Sequence, residues 1–188
     1  MSSIKWQTTL GYAEDSAIAT RKPILLYFHD KNCIGCREMD KKTMASEEVV
    51  NFVNDHLIGL LIDSESKEAY DEYNTIWTPT LIVLDFHGRE IQKTVGFHGP
   101  DSFLARMLLG TAKVYFAVGE YDAANVQFKK LMEKYPNSTT LPEAIFYHGI
   151  NGYKQHNDPA ALRRACEHLG EKYPESSWAK RATPYANL

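Results

Sequence analysis

The residues most able to do chemistry in this sequence are two cysteines separated by two residues, Cys33 and Cys36. They follow the apolar run Ile24–Phe28, which has the pattern of a buried strand, and Cys33 stands where a helical pattern begins. At that position unpaired backbone N–H groups and the positive end of the helix dipole favour a thiolate. The spacing therefore predicts a redox pair in which Cys33 attacks as the nucleophile and the less exposed Cys36 resolves the mixed disulfide.

Half of a zinc site and a chance pair are the alternative interpretations of these cysteines. Structural zinc takes four ligands, and the sequence has neither a second Cys-x-x-Cys nor a His-x-x-x-His to complete such a set. The third cysteine, Cys166, aligns with Phe128 in an internal repeat and is expected to pack as a small hydrophobic residue. We therefore expect no metal, and no cofactor besides the redox-active disulfide Cys33–Cys36.

The elements that must position this pair alternate between strands and helices over residues 1–109, in the order αβαβαββα. The predicted strands are Ile24–Phe28, Leu57–Ile62, Leu81–Leu84 and Glu90–Val95, and the predicted helices after the first cover Gly35–Val53, Ser66–Asn74 and Asp101–Leu109. Ser46 precedes two glutamates and is expected to cap the second half of the long helix. The turn at Asp85–Gly88 should pair the last two strands antiparallel.

Residues 110–188 carry helical patterns only, and they contain an internal repeat. The segment Glu133–Pro136 recurs as Glu171–Pro174 with the same four residues, and each copy closes an apolar-periodic helix. Tyr121, Ala124 and Phe128 have the spacing of a tetratricopeptide (TPR) repeat, whereas the second copy is degenerate. We therefore predict two domains, 1–109 and 110–188, the second a small all-α TPR-like tail available to a protein partner.

Composition excludes several classes of function. The net charge of −3, the pI of about 6.2 and the lack of a basic cluster argue against a nucleic-acid partner and against an acidic membrane surface. The sequence shows neither the apolar stretch of a signal peptide nor a run long enough to span a membrane. We expect a cytoplasmic protein, although a chain trimmed of its leader would look the same.

Several short segments between Ile4 and Leu109 together resemble the thioredoxin superfamily, in the branch that opens with a Trp-containing strand. The matching segments are Ile4–Trp6, Lys22–Phe28, Cys33–Cys36, Trp77–Thr80 and Val95–Phe97. The resemblance implies an α/β thioredoxin-like fold, a central mixed sheet flanked by helices. It also implies a cis bond at Thr78-Pro79, facing the redox pair. By the same resemblance, the substrate groove would be lined by Trp77, Thr78, Pro79, Val95, Gly96 and Phe97.

The sequence departs from thioredoxins proper at three places near the pair. It has Asn32 in place of the preceding Trp, Ile34-Gly35 between the cysteines, and Tyr27 in place of the buried acid. The proton of Cys36 must then go to water or to another group, for which His29, Asp30 and Glu38 are the candidates. The two carboxylates could equally be solvated charges, and His29 could simply cap its strand.

Two functions of different class fit these residues. The first is a thioredoxin-like protein disulfide oxidoreductase, an enzyme that exchanges thiols with protein disulfides and with a reductant or electron-donor protein, while the tail recruits or selects partners. Reduction is the expected direction if the protein is cytoplasmic. The alternative is a non-catalytic adaptor that uses the thioredoxin fold as a platform and binds a protein ligand through its repeats. The intact cysteine pair and Pro79 favour the enzyme.

Overall fold

A computed structural model describes residues 3–188, which form two compact units that divide between Leu104 and Ala105. The first unit is built on a four-stranded mixed sheet. Its strands are β1 (Ile24–His29), β2 (Ile58–Asp63), β3 (Thr80–Leu84) and β4 (Glu90–Val95), in the order β2-β1-β3-β4. Strand β1 pairs in parallel with β2 and antiparallel with β3, which pairs antiparallel with β4.

The two central strands are buried along their length. All five residues of β3 and the first five of β1 are buried, as expected for continuous apolar runs covered on both faces. Because β1 and β3 are antiparallel, with Phe28 opposite Thr80, β1 ends where β3 begins. The loop that follows β1 and the loop that precedes β3 therefore meet at one edge of the sheet.

Helices and one irregular turn complete the first unit. The helices are α1 (Leu10–Thr20), α2 (Ile34–Met39), α3 (Glu47–His56) and α4 (Lys67–Glu72), and a π-helical turn, Asp40–Met44, follows α2. Thr9 caps α1 by accepting a hydrogen bond from the N–H of Tyr12 at 3.2 Å. The next helix, α5 (Pro100–Ala117), begins in the first unit and continues into the second.

The predicted strands match β1 to β4 to within a residue, and three other segments differ from the expectations. The helix expected over Gly35–Val53 is broken by the π-helical turn, and Ser46 occupies the N-cap position of α3 without a side-chain capping bond. Thr43 anchors that turn, donating to the carbonyl of His98 at 2.6 Å. Helix α5 continues past the predicted end at Leu109, because its further turns also bury apolar side chains such as Val114.

The N-terminal segment was expected to be a strand, and among its described residues one isolated bridge pairs it with β2. The N–H of Gln7 donates to the carbonyl of Gly59 at 2.7 Å, and Gln7 forms an isolated parallel bridge with Leu60. Helix α1, with Thr9 as its N-cap, begins directly after this segment and packs Ala13 and Ala17 against the strands. The side chain of Trp6 lies so close to Gly59 that a Cβ there would fall 2.9 Å from the indole ring.

The second unit is helical throughout. After α5 it contains α6 (Tyr121–Lys134), α7 (Leu141–His156), α8 (Pro159–Lys172), α9 (Ser177–Ala182) and a 3-10 turn, Thr183–Asn187. Helix α7 packs against both α6 and α8. Cys166 is a free thiol, partly buried against the apolar cluster around Ile145 and Leu169. The mixed sheet followed by helices confirms the predicted fold class, while the TPR-like character of the tail stays a prediction.

Within residues 3–188, no helix combines the length and the apolar character needed to cross a membrane.

Candidate functional site

Cys33 is placed by the loop that joins β1 to α2. The carboxylate of Asp30 accepts a hydrogen bond from the N–H of Asn32 at 2.7 Å, and the Asp30 carbonyl accepts one from the N–H of Cys33 at 3.0 Å. Arg37 reaches back from α2 to the carbonyls of Lys31 and Asn32 at 3.5 and 3.4 Å. These bonds fix a tight turn that presents Cys33 as the N-cap residue of α2.

The Cys33 sulfur is partly buried and surrounded by hydrogen-bonding groups. It accepts a bond from the N–H of Cys36 at 3.3 Å, and as a thiol it can donate to the carbonyl of Thr78, also at 3.3 Å. Burial opposes the thiolate, but hydrogen bonds from the side chains of Thr78 and Cys36 and from the backbone of Cys36 and Gly35 lower the pKa of Cys33. These hydrogen bonds together favour the thiolate and so prepare this sulfur to attack.

The Cys36 sulfur is in a different environment, although it lies within the next turn of the same helix. Its side chain is fully buried. Burial raises the pKa of Cys36 to about 11, and the neighbouring Cys33 contributes in the same direction. The pair therefore combines a partly exposed thiol at Cys33, whose lowered pKa favours the thiolate, with a buried thiol at Cys36, whose raised pKa favours the protonated form.

The loop before β3 faces this pair. The bond between Thr78 and Pro79 is cis, as the resemblance implied. A Cβ on Gly35 would lie 3.0 Å from the Pro79 ring, so glycine at this position lets α2 approach the loop closely. The loop itself is held by the N–H of Gly96, which donates to the Pro79 carbonyl at 2.8 Å, and by Thr80, whose hydroxyl donates to the Trp77 carbonyl at 2.7 Å.

A groove of about 580 Å³ opens beside Cys33. Its walls include five of the six residues predicted for substrate binding, which are Trp77, Thr78, Pro79, Gly96 and Phe97. The sixth, Val95, is exposed on β4 opposite Thr80 and does not line the groove. Val95 precedes the groove residues Gly96 and Phe97 in sequence, but it belongs to the edge strand β4 and does not line the groove.

Apolar residues stand exposed around this groove. Ile76, Trp77 and Ile34 are 94%, 68% and 72% exposed, respectively. Trp77 was predicted from the sequence, whereas Ile76 and Tyr70, which also line the groove, were not. Ile76 could have been predicted from the sequence, because it forms an apolar pair with Trp77 directly before Thr78-Pro79. Tyr70 lies on α4, and only the folding of the chain brings it to the groove.

The three residues predicted to take the proton of Cys36 or to tune the pKa of the cysteines, His29, Asp30 and Glu38, have different partners. Glu38 pairs with Lys42 at 2.6 Å, and this hydrogen bond and charge lower the pKa of Glu38. Asp30 uses its carboxylate to shape the loop, as described above. His29 is largely buried, and its Nε2 lies 2.8 Å from a carboxylate oxygen of Asp40.

Asp40 was not identified from the sequence, and it is also bound to Tyr27. The Tyr27 hydroxyl donates to Asp40 Oδ1 at 3.0 Å, and its oxygen lies 3.5 Å from the carbonyl oxygen of Cys36. Burial strongly raises the pKa of Tyr27, and the charges of Asp40 and Cys36 raise it further. Tyr27 thus occupies the site of the family's buried acid and links the carboxylate of Asp40 to the redox helix.

The structure offers no cluster of three or more His, Cys, Asp or Glu side chains suited to a metal, as far as residues 3–188 are concerned.

Comparison with known proteins places this site in a family. The family model of the thioredoxin-like domain matches residues 10–110. The chain is 29% identical over 118 residues to the thiol:disulfide interchange protein DsbD of Ralstonia nicotianae, a match that covers 58% of this chain and 19% of that protein. The chain therefore spans about a fifth of the length of that relative.

Two solved structures share the fold of the first unit. The DsbH oxidoreductase gives a TM-score of 0.53 at 18% identity, covering 58% of this chain and 85% of that one. A thioredoxin from Thermus thermophilus gives a TM-score of 0.50 at 21% identity, covering 56% and 85%. Because the family model matches more than half of its residues, this chain belongs to the thioredoxin-like domain family.

Proposed function

We propose that this protein is a thiol-disulfide oxidoreductase that acts on protein disulfides through Cys33 and Cys36. The observation that carries the proposal is the difference between the two thiols. The pKa of the partly exposed Cys33 is lowered, whereas burial raises that of Cys36 to about 11. A division into an attacking and a protected sulfur is what a two-step thiol exchange requires.

The reaction balances with these two residues alone. The Cys33 thiolate attacks one sulfur of the substrate disulfide, forming a mixed disulfide and releasing the other substrate sulfur as a thiolate. Cys36 then loses its proton and attacks Cys33, which releases the second substrate thiolate. The substrate disulfide is reduced to two thiols while Cys33–Cys36 is oxidised to a disulfide, and an electron-donor protein or thiol restores the pair.

The groove supports a protein substrate. The carbonyl of Thr78 lies 3.3 Å from the Cys33 sulfur, where the backbone of an extended segment could pair with this loop. The exposed side chains of Ile34, Ile76 and Trp77 offer apolar contact on either side. Exposed apolar residues clustered around a reactive sulfur favour a polypeptide over a small polar disulfide.

The relatives support the same chemistry. The family model of the thioredoxin-like domain covers the cysteine pair, and the thiol:disulfide interchange protein DsbD is 29% identical to this chain over 118 residues. We extend thiol-disulfide exchange to this chain because it has the pair Cys33 and Cys36 and because the pKa values of the two thiols differ. We propose protein substrates and a protein redox partner on the same grounds.

Trapping of the mixed disulfide tests this function. A Cys36→Ser variant lacks the resolving thiol and should accumulate covalent complexes with cellular proteins that reductant releases, whereas Cys33→Ser should trap none. Wild type should also reduce insulin. If Cys36→Ser shows no complexes above the Cys33→Ser background and wild type leaves insulin intact, the oxidoreductase proposal is wrong.

The adaptor is the second candidate, and a cavity in the second unit favours it. This cavity of about 290 Å³ lies between helices of the unit and is lined by Arg164, His148 and His168 together with apolar residues. An adaptor would bind its partners non-covalently, so their recovery would be the same in wild type and in both cysteine variants. The tail could also select partners for the enzyme, which is the role we propose for it.

The cytoplasmic location and the reductive direction stay predictions from the sequence. Equilibration of the pair with glutathione buffers of known ratio measures the reduction potential, and a value near those of cytosolic reductants would support both.

A further inference from the structure

The loop that follows β4 supplies one wall of the groove beside Cys33. This loop covers residues 96–99, and its first two residues, Gly96 and Phe97, line the groove. The Phe97 side chain is 44% exposed. Because loops are the more mobile segments of a fold, the position of an exposed ring on this loop depends on what holds the loop backbone.

The start of the loop is held by the segment that faces the redox pair. The N–H of Gly96 donates to the carbonyl of Pro79 at 2.8 Å. Gly96 has a φ of 99°, in the region that glycine adopts without steric cost. The chain can therefore turn out of β4 at Gly96 while it stays bonded to the other groove loop.

The end of the loop is held by the extension of the redox helix. The hydroxyl of Thr43 donates to the carbonyl of His98 at 2.6 Å, and Thr43 is fully buried. Thr43 lies in the π-helical turn that continues α2, and such turns are rare and frequently occur at functional sites. On the other side, His98 Nδ1 lies 3.2 Å from Ser102 Oγ in α5. Phe97 therefore stands between two fixed points of the loop backbone.

The side chains around the reactive sulfur suit an apolar ligand. Ile34, Trp77 and Phe97 line the groove, and none of its described lining residues is Lys, Arg or His. The one carboxylate among them, that of Asp30, accepts a hydrogen bond from the N–H of Asn32. An apolar side chain gains by leaving water for such a surface, whereas a polar side chain loses its hydrogen bonds to water.

We propose that Thr43 is a positioning residue that holds Phe97 as an apolar wall of the groove, and that this wall selects substrate segments with an apolar side chain beside the cysteine under attack. The inference rests on the proposed function and names the class of substrate. Thr43 acts through the loop backbone, and Phe97 makes the contact with the substrate.

Two synthetic peptides measure this selectivity. Each carries one cysteine in a disulfide with thionitrobenzoate, and the peptides differ only in the residue beside that cysteine, Leu or Ser. The Cys33 thiolate attacks the peptide sulfur, forms a mixed disulfide with the peptide and releases the coloured thionitrobenzoate thiolate, whose appearance gives the rate. In a full-length Cys166→Ala parent, the Leu peptide should react about tenfold faster, the effect expected of one apolar side chain in an apolar site. Phe97→Ala should remove most of this preference.

Substitutions at Thr43 test the positioning role. Thr43→Val and Thr43→Ala both remove the hydroxyl, and each should lower the Leu-to-Ser rate ratio by about threefold or more, the size expected from losing one hydrogen bond. Thr43→Ser keeps a hydroxyl and should restore the parent ratio. Thr20→Val is the matched control, because it removes a hydroxyl that donates to the Ser16 carbonyl at 2.6 Å on α1, and it should leave the ratio unchanged.

The rate ratio separates positioning from a general loss of stability, because a smaller folded fraction slows both peptides equally. The rate with dithiobis(nitrobenzoate), which has no peptide, should stay at the parent value in every variant. A parent ratio retained in both Thr43→Val and Thr43→Ala would overturn the role of Thr43, and one retained in Phe97→Ala would overturn the apolar wall.

Failure of this inference and failure of the proposed function give different results. If the parent reacts equally fast with the two peptides and then releases both through Cys36, the selectivity is wrong and the oxidoreductase stands. If the parent attacks neither peptide, the proposed function itself fails and the selectivity falls with it.

Discussion

The two thiols of the redox pair differ because their surroundings differ by one helical turn. Cys33 caps α2 and receives the hydrogen bonds of free N–H groups, while Cys36 points into the core. The same six-residue helix therefore stabilises one thiolate and suppresses the other. Burial and hydrogen bonding, more than the charge of any neighbouring side chain, separate the pKa values of the two thiols.

Alkylation should reveal that difference directly. Because the pKa of Cys33 is lowered, its reaction with iodoacetamide should rise with pH and level off below the ordinary thiol range, and Cys33 should label before Cys36 and Cys166. Cys36 should resist until the pH approaches 11, since burial raises its pKa to about that value. Mass spectrometry after brief labelling at a series of pH values measures the labelling of all three cysteines. Labelling of Cys36 before Cys33 would contradict the assignment of Cys33 as the nucleophile.

A buried carboxylate holds the turn between β3 and β4. Asp85 Oδ1 accepts from the N–H groups of His87 and Arg89, each at 3.0 Å, and Oδ2 accepts from Arg89 Nε at 3.0 Å. Asp85→Ala would leave two backbone donors without this acceptor and should lower the free energy of unfolding by about 1–3 kcal/mol. Urea denaturation measures the loss, and Asp85→Asn, which keeps one acceptor oxygen, should lose less.

Among the elements, α2 and the loop before β3 form the groove together. Trp77 and Ile76 expose their side chains beside Cys33 and make no contribution to the proposed thiol chemistry. Ile76→Ser combined with Trp77→Ala should therefore raise KM for a protein disulfide about tenfold, the loss expected from one or two apolar contacts, with little change in kcat. A small disulfide such as dithiobis(nitrobenzoate) is the control and should react at the parent rate.

Helices α7 and α8 approach closely through a glycine. A Cβ on Gly149 would overlap the Cβ of Ala165 and lie 3.2 Å from the carbonyl oxygen of Ala161. Gly149→Ala should therefore force the helices apart and cost about 1–3 kcal/mol of stability, despite the better helix propensity of alanine. Gly170→Ala on α8 has open space and is the matched control, expected to be neutral or stabilising. Equal thermal unfolding of the two variants would contradict this packing.

At the scale of the whole molecule, the two candidate sites lie in different units. The redox pair and the groove lie in the first unit, and the cavity lined by Arg164, His148 and His168 lies in the second. Helix α5 is continuous from one unit into the other. The two proposed roles, thiol exchange and partner selection, therefore belong to different units and can be tested separately.

Partner choice can be tested with the trapping variant. In the Cys36→Ser background, Arg164→Glu reverses the charge in the tail cavity and should change the set of proteins recovered as reductant-sensitive complexes. Lys172→Glu, a charge reversal on an exposed residue of the same helix, is the control. Quantitative mass spectrometry of the released proteins compares the two, and identical sets would show that the tail does not select substrates.

The sequence by itself determined the features that neighbouring residues encode. Apolar runs such as Ile24–Phe28 predicted the strands because burial on both faces of a sheet demands continuous apolar residues. The spacing of Cys33 and Cys36 predicted a redox pair at a helix start, because the N-terminal backbone of any helix has free N–H groups. The resemblance of Trp77–Thr80 to its family then implied the cis bond that the structure contains.

Only the tertiary structure brought Asp40, Tyr27 and His29 together. They come from β1 and from the end of α2, and their contacts depend on how the helix lies across the sheet. The sequence also suggested Glu38 as a tuning group, yet the structure pairs it with Lys42 and brings Asp40, two residues later, to Tyr27. Helix phase and the packing of helix on strand decide which carboxylate reaches Tyr27, and neither is contained in the spacing of residues along the chain.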